Sequence, residues 1–171
     1  MIYRFRVILD NDTEDDIFRD LEIRETDTLE DLHNIITQSF GFDGMEMASF
    51  YLSDDQWNQG EEISMFDVSE GANPVRLMNE TTINDVVHEV QTKLIYVYDF
   101  LSMWTFFVEL AEIVEVTEGT DYPNLMFVQG QVPDTAPEKI FEADNDDDFN
   151  EFKDELDVDD YDYLDFDENW N

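Results

Sequence analysis

The chain has 171 residues, 42% of them hydrophobic, and its 14 Phe, 7 Tyr and 3 Trp supply enough apolar volume for one domain with an appendage. Its 45 Asp and Glu outnumber its 8 Lys and Arg, and the net charge of −37 disfavours direct contact with nucleic-acid phosphates or anionic lipids. Because the chain contains no cysteine, disulfides, thiolate zinc sites and cysteine nucleophiles are excluded.

The N-terminal segment predicts a β-hairpin followed by a helix. Apolar and polar residues alternate from Tyr3 to Leu9 and again in IFRDLEIRE, and the run DNDTEDD between them is typical of a turn. In TDTLEDLHNIITQSFGF, Thr28 can cap a helix together with Asp31, and Gly41 can end it. The apolar residues of this helix recur at helical spacing, at Leu29, Leu32, Ile36 and Phe40.

The middle of the chain predicts one strand, a long loop and a second short helix. ASFYLS, residues 48–53, is typical of a strand that returns after the helix. Residues 54–79 contain Gly, Pro and many acidic residues, with ISMFDV as the one apolar piece, so we expect mostly loop. In TTINDVVHEV, the spacing of Thr82 and Asp85 indicates a helix start. Its expected apolar face is Ile83, Val86, Val87 and Val90.

The most apolar stretch, LIYVYDFLSMWTFFVEL at residues 94–110, predicts two antiparallel strands. A membrane helix needs about 20 apolar residues, and an aspartate in its middle, such as Asp99, costs roughly 3 kcal/mol on insertion. The residues are instead the β-branched and aromatic types that are enriched in sheets. We expect an irregular turn near residues 101–103 and place both strands at the centre of the sheet. NLMFVQGQVP, residues 124–133, predicts a further strand at the sheet edge, ending at Pro133.

These blocks resemble a known family. YVYDF followed by Trp104 and a strand ending in Glu109, preceded by TLEDLHNIITQSFGF and ASF, is similar to the root-inducing-plasmid ORF-three-like proteins over residues 3–115. The resemblance implies an α+β domain with a β-grasp-like core, in bacterial and archaeal proteins sometimes carried by mobile elements, whose biochemical role is not established. The residues that match the family motif are Leu32, His33, Gly41, Tyr98, Asp99, Phe100 and Trp104.

The chain departs from the family pattern at polar positions. The family pattern is Tyr-Asp-Phe-Gly-Asp, followed by Trp and, two residues later, by His. In this chain Leu101 and Ser102 stand in place of the Gly and Asp, and Phe106 stands in place of the His. Where the family has Gly-Trp after its helix, this chain has Gly41 and Phe42. If the polar residues form a site in relatives, most of that site is missing here.

Few residues suit a catalytic or metal site. With only His33 and His88 in the chain, a histidine-rich site is not expected. His33 is predicted to hydrogen-bond a backbone group at the edge of the core, and His88 to lie on the surface of the second helix. Asp99 is predicted to accept hydrogen bonds from backbone amides at its turn, the alternative being a catalytic or metal-binding carboxylate. DNDDDFNEFKDE, residues 144–155, has the acidic spacing of an EF-hand but carries Phe149 where the loop needs Gly, so only weak, diffuse calcium binding is expected.

The last thirty residues, 142–171, form a strongly acidic segment with 15 acidic residues against Lys153 alone. Such composition predicts a disordered, solubilising tail. A tail that only solubilises does not need large apolar residues, however, and acidic and hydrophobic residues in alternation suit folding onto a basic, apolar groove. The predicted partner-binding residues of this tail are Phe149, Phe152, Leu156, Tyr161, Tyr163, Phe166 and Trp170.

The sequence therefore predicts an α+β domain over residues 1–141, with a β-grasp-like mixed or antiparallel sheet, one main helix and a second short helix, and a disordered acidic tail over 142–171. The leading hypothesis is a non-enzymatic interaction module whose tail docks on a basic protein partner or on the domain itself, without a cofactor, a metal or a membrane span. Because MIYRFRVILD is too short and too interrupted by arginine for a signal peptide, a cytoplasmic location is expected. The alternatives are a nucleic-acid mimic that binds a basic DNA- or RNA-binding protein, and an enzyme using Asp99 with carboxylates of residues 54–67.

Overall fold

The architecture is a mixed sheet with one long helix against one of its faces. The structure is a computed structural model and describes residues 1–11, 16–66 and 76–137. The helices are α1 (Leu29–Phe40) and α2 (Ile83–Val86), with a 3₁₀ turn at Met78–Glu80. The strands are β1 (Ile2–Leu9), β2 (Phe18–Arg24), β3 (Ala48–Ser53), β4 (Gln59–Ser64), β5 (Arg76–Leu77), β6 (Lys93–Tyr98), β7 (Trp104–Val114) and β8 (Asn124–Gln129).

In the described ranges, the eight strands form one sheet in the order β5-β4-β3-β6-β7-β1-β2-β8. All neighbours are antiparallel except β4 and β5, which are parallel, so the sheet is mixed. The predicted opening hairpin is confirmed, with Phe5 opposite Leu21. The predicted central pair is also confirmed, because β6 and β7 lie fourth and fifth in the order, with Tyr96 opposite Phe106.

Helix α1 begins and ends where its sequence predicts. Thr28 and Asp31 form a capping box, in which the Asp31 amide donates to the Thr28 hydroxyl at 3.2 Å and the Thr28 amide donates to the Asp31 carboxylate at 3.0 Å. Gly41 follows the helix in the left-handed region with φ 82°, which glycine adopts without steric cost. The buried side of the helix is Leu29, Leu32, His33, Ile36, Thr37 and Phe40.

The core lies between α1 and the sheet face that it covers, which we call the inner face. Alternate residues of the strands point into it, and Phe50, Tyr96 and Phe106 are fully buried there. The Phe106 ring contacts the ring of Phe40 of the helix at 4.7 Å between centroids, and Phe50 contacts Tyr96 at 4.8 Å. The opposite face of the sheet, the outer face, carries the alternate residues of the same strands.

Four sequence predictions differ from the structure in detail. In the described part of residues 54–79, which omits 67–75, two strands occur where mostly loop was expected, because β4 pairs with β3 and β5 pairs with β4 through the backbone, although few of their side chains are apolar. Helix α2 spans only one turn, and Val90, predicted on its apolar face, lies beyond it and is 87% exposed. His88 also lies outside the helix and is exposed. Strand β8 is at the sheet edge as predicted, but it ends at Gln129 rather than Pro133.

The apolar stretch 94–110 forms β6, a turn and β7 rather than one helix. Of the helices that the structure describes, none has the length and apolar character required to cross a membrane. The predicted tail at residues 142–171 and the acidic loop at 144–155 lie outside the described residues.

Candidate interaction surface

The family-motif residues Tyr98 and Trp104 hold the loop that follows α1. The ring of Phe42 stacks on Tyr98 with 4.8 Å between centroids and contacts Trp104 at 4.9 Å. The Tyr98 hydroxyl donates to the Asp43 carboxylate at 2.9 Å and accepts from the Gly44 amide at 3.1 Å. Hydrogen bonds from the Met45 amide and from Tyr98 lower the pKa of Asp43. These contacts give the two aromatic motif residues a structural role.

Asp99 builds the turn between β6 and β7. Its backbone has φ 64°, and its amide donates to the Met47 carbonyl at 2.7 Å. Its carbonyl accepts from the amides of Ser102 at 3.0 Å and Met103 at 2.6 Å, and its carboxylate accepts from the Leu101 amide at 3.2 Å. The expected hydrogen bonding to backbone amides is therefore present. The next motif residue, Phe100, lies at the exposed tip of this turn.

His33 lies deeper in the core than its sequence predicts. Its Nδ1 atom is 2.6 Å from the hydroxyl of Tyr96, and both side chains are buried. The predicted partner was a backbone group at the core edge, whereas the observed partner is a side chain at the sheet centre. Burial lowers the pKa of His33 and raises that of Tyr96, so both groups are neutral in the folded protein near pH 7. The preceding motif residue, Leu32, is fully buried.

Asp54, the first carboxylate named in the enzyme hypothesis, does not come together with Asp99, and Asp67 lies outside the described residues. Strands β3 and β6 are antiparallel, with Ala48 opposite Tyr98 at one end and Ser53 opposite Lys93 at the other. Asp99 and Asp54 therefore follow opposite ends of this pair, and the ends themselves are roughly 17 Å apart at the usual rise of a strand. Asp54 instead accepts from the amides of residues 56 and 58, at 2.9 and 3.0 Å. Within residues 1–11, 16–66 and 76–137, no cluster of three His, Asp or Glu side chains is placed to hold a metal ion.

The outer face of the sheet carries ion pairs between neighbouring strands. The register places Arg4 opposite both Glu22 and Glu112, and its guanidinium donates to each at 2.8 Å. Arg6 lies opposite Asp20 and donates to both of its carboxylate oxygens, at 2.8 and 2.9 Å. A third pair joins Lys93 of β6 to Glu109 of β7 at 3.0 Å.

A shallow pocket of about 400 Å³ opens on this face. The register of β1 with β7 shifts between Arg4 and Phe5, and the register of β2 with β8 shifts between Asp20 and Leu21. Because Phe5 lies opposite Leu21, these two register shifts lie side by side in the four neighbouring strands β7, β1, β2 and β8. Such β-bulges bend a sheet locally. The pocket is lined by Arg4, Phe5, Arg6, Asp20, Glu109, Leu110, Ala111, Glu112 and Met126.

Strand β8 borders this pocket and exposes four consecutive large apolar residues. Their exposed fractions are 38%, 45%, 50% and 51% for Leu125, Met126, Phe127 and Val128. On one side, β8 pairs with β2, where the ring of Phe127 lies 5.9 Å from that of Phe18. Its other side pairs with no strand in the described part of the chain. Residues 122–133 contain no charged residue, although 31% of the whole chain is charged.

Arg19 holds the end of β8 through hydrogen bonds to backbone carbonyls. Its side chain is buried, and its guanidinium donates to the carbonyl of Ser39 at the end of α1 at 2.9 Å and to that of Gln129 at 3.0 Å. It also lies 4.5 Å from the centroid of the Phe40 ring. At Gly130, with φ 83°, a Cβ atom would lie 2.6 Å from the carbonyl oxygen of Asp16. The chain after β8 is therefore held in one path by a buried cation and a required glycine.

The sequence predicts only part of this surface. It identified β8 as an edge strand, but not that its apolar side chains stay exposed, which depends on what packs against them. It also missed the contacts of Arg4 and Arg6, although both alternate with apolar residues in β1 and the acidic residues of β2 alternate in the same way. That matching alternation is a sequence feature from which the cross-strand pairs could have been predicted.

The fold defines an α+β protein built on a mixed eight-stranded sheet in its described ranges. The chain belongs to the plasmid pRiA4b ORF-3-like protein family, whose model matches residues 1–170. This finding confirms the resemblance of the sequence blocks. The chain is also similar to a crystal structure of a protein of unknown function from Methanosarcina mazei Go1, with a TM-score of 0.66 and 22% sequence identity. That match covers 78% of this chain and 72% of the other, and at this identity it supports the fold alone. A search of curated proteins found no match.

Proposed function

We propose that this protein is a non-enzymatic protein-interaction module and that strand β8, with the adjoining outer face, is its binding surface. The observation that carries the proposal is the run of four large, half-exposed apolar side chains at residues 125–128. Contiguous apolar patches on soluble proteins mark interaction sites, because each exposed side chain gains free energy when a partner removes it from water. The uncharged composition of residues 122–133 supports the same interpretation.

The partner we propose is a basic protein. The net charge of −37 produces a negative potential around the molecule, which attracts positively charged proteins and repels acidic ones. Arg4, Arg6 and Lys93 of the outer face are each paired with carboxylates, so these three cations do not offset this potential locally. We expect such binding to weaken steeply as salt increases, because screening shortens the reach of the charges.

The acidic tail is the second part of the proposal. We propose that the apolar residues of segment 142–171 add contacts to the same basic partner, in a cytoplasmic protein. Alternating acidic and apolar residues suit a segment that orders on binding. For the domain, we propose a β-grasp-like core, supported by the β1–β2 hairpin followed by α1 and by the position of β1 inside the sheet.

The test is affinity capture from a lysate of the source organism at low and moderate salt. The full chain is compared with Phe127→Lys in β8 and with Leu101→Lys, which changes the charge equally at a side chain that is 96% exposed in the β6–β7 turn. We expect a basic protein that the wild type and Leu101→Lys retain and that Phe127→Lys loses. Equal retention by both variants would remove β8 from the proposal. A third variant, with the seven tail residues Phe149, Phe152, Leu156, Tyr161, Tyr163, Phe166 and Trp170 replaced by serine, tests the tail without changing its charge.

A second candidate function is nucleic-acid mimicry, which the density of carboxylates favours. In that function the acidic residues would occupy the basic groove of a DNA- or RNA-binding protein. Duplex DNA added to the captured complex distinguishes the two. We expect displacement of the partner by DNA if this chain mimics nucleic acid, and no displacement if the partner is held mainly through the apolar residues of β8.

A further inference from the structure

We propose that the partner binds by adding an extended strand to the edge of β8 that pairs with no strand in the described ranges, and that this strand has an uncharged, apolar centre with Lys or Arg on both sides of it. This inference rests on the proposed function and specifies its mode of recognition. Strand addition supplies affinity through backbone hydrogen bonds and specificity through alternate side chains.

The backbone of β8 is suited to pairing on its free side. A strand at a sheet edge presents unpaired N–H and C=O groups, and proteins usually protect such edges with charges, proline, bulges or very short strands. Strand β8 has six residues without a charge or a proline, and the one protective feature seen in it is the bulge at Met126. The opposite edge of the sheet is β5, which has two residues in the described part of the chain. The two edges therefore differ in their capacity to accept another strand.

The side chains of β8 define the centre of the incoming strand. Phe127 points to the outer face, where its ring lies beside Phe18, and Val128 is paired in register with Arg19, whose side chain lies on the inner side. A strand added here would therefore meet a half-exposed apolar side chain on each of its faces. Cross-strand partners of this kind are favourable when they are β-branched or aromatic. A charged residue at these positions would be desolvated without a partner.

The residues around β8 define the flanks of the incoming strand. Glu118 and Asp121 precede the uncharged segment, and Asp134 follows it. Lysine or arginine on both sides of the partner strand would lie near these carboxylates. The same residues disfavour a second copy of this chain. In an antiparallel pairing of β8 with itself, the start of one strand lies beside the end of the other, which would bring Asp121 close to Asp134 at both ends.

The edge of β8 is already extended and held in place before a partner binds. Arg19 and Gly130 fix the chain at the end of β8, and Tyr122, just before the strand, accepts a hydrogen bond from the Thr117 amide at 3.1 Å. A strand that is already extended and fixed at both ends loses less conformational entropy on binding than a mobile one.

The experiment uses the full chain and three synthetic peptides. The first has a central segment of alternating Val, Ile and Thr flanked by lysines, the second has the same centre flanked by glutamates, and the third keeps the lysines but carries N-methyl groups on alternate central amides. Binding is measured by titration calorimetry, and amide exchange of residues 124–129 is followed by mass spectrometry. The protein variants are Phe127→Lys and the charge-matched Leu101→Lys.

We expect the lysine-flanked peptide to bind, to slow amide exchange in β8, and to bind about tenfold more weakly to Phe127→Lys than to Leu101→Lys. The glutamate-flanked peptide should bind more weakly than the lysine-flanked one. If the N-methylated peptide binds as well as its parent and β8 exchange does not change, strand addition is wrong while a basic partner remains possible. If the chain alone is a dimer that Phe127→Lys dissociates, the occupant of the edge is a second copy and the proposal is overturned. Loss of the captured partner in the lysate experiment tests the proposed function separately.

Discussion

The two faces of the sheet are built from the same strands and differ in almost every other respect. In β1, Phe5 and Val7 point to the inner face and are buried under α1, whereas Arg4 and Arg6 point to the outer face and pair with carboxylates of adjacent strands. The inner face is closed by the chain itself. In the described ranges, the part of the outer face around Arg4 and Arg6 is exposed and borders the apolar strand β8, whereas Ile95 and Val97 of β6 are buried on the same face. The contrast predicts that substitutions at the inner face change stability more than substitutions at the outer face.

Substitution at the inner face should have the largest effect. Phe106 is fully buried at the centre of the sheet and contacts Phe40 and Tyr96. Phe106→Ala leaves a cavity there, and we expect the free energy of unfolding to fall by about 3–5 kcal/mol. Urea denaturation followed by tryptophan fluorescence measures it. Phe127→Ala on β8 is the matched control, with an expected loss of less than about 1 kcal/mol. Similar losses for both variants would contradict the division between the faces.

The buried cation at the end of β8 should have the next largest effect. Arg19→Met retains much of the apolar stem but leaves the carbonyls of Ser39 and Gln129 without their donor. A hydrogen bond to a charged group contributes about 1.5–3 kcal/mol, and because these bonds are only partly buried we expect a loss of about 1–3 kcal/mol. We also expect this substitution to accelerate amide exchange more in β8 than in β6. Strand β8 loses its hydrogen bond to Arg19, whereas the central strands keep their hydrogen bonds. Uniform acceleration across all strands would show that Arg19 stabilises the whole domain without any preference for the edge.

The buried His33 should make the free energy of unfolding depend on pH. Burial lowers the pKa of His33 in the folded state, so the unfolded chain binds a proton more readily. Above the unfolded pKa of about 6.5, His33 is neutral in both states and has no effect on the pH dependence. Below it, stability should fall with decreasing pH, by at most about 1.4 kcal/mol per pH unit from this group.

The control for this prediction is the other histidine. His33→Gln should flatten the dependence of unfolding free energy on pH between pH 5 and about 6.5, whereas His88→Gln, at an exposed position, should leave it unchanged. Carboxylates titrate mainly below this window. An unchanged slope in His33→Gln would show that another group carries the dependence.

The sequence predicts the elements whose signals are local and misses the contacts between distant segments. Local patterns identify β1, β2, α1, β6 and β7, because alternation, capping residues and glycine act within a few residues of each other. Strands β4 and β5 were missed because backbone pairing holds β4 to β3 and β5 to β4, and their side chains show little alternation. The contact of His33 with Tyr96 and that of Arg19 with Gln129 join residues far apart in sequence. A side chain's own segment does not specify such contacts.

The ion pairs of the outer face should have the smallest effect on stability. The Arg6 side chain is 48% exposed, and its bidentate pair with Asp20 is screened by water and salt. We expect Arg6→Ala to change the free energy of unfolding by about 1 kcal/mol or less, and a double-mutant cycle with Asp20→Ala to give a coupling in the same range. The coupling should decrease in high salt. A coupling of several kcal/mol would mean that the outer face contributes to stability as the inner face does. A small coupling, combined with weaker partner binding in Arg6→Ala, would instead assign these residues to recognition.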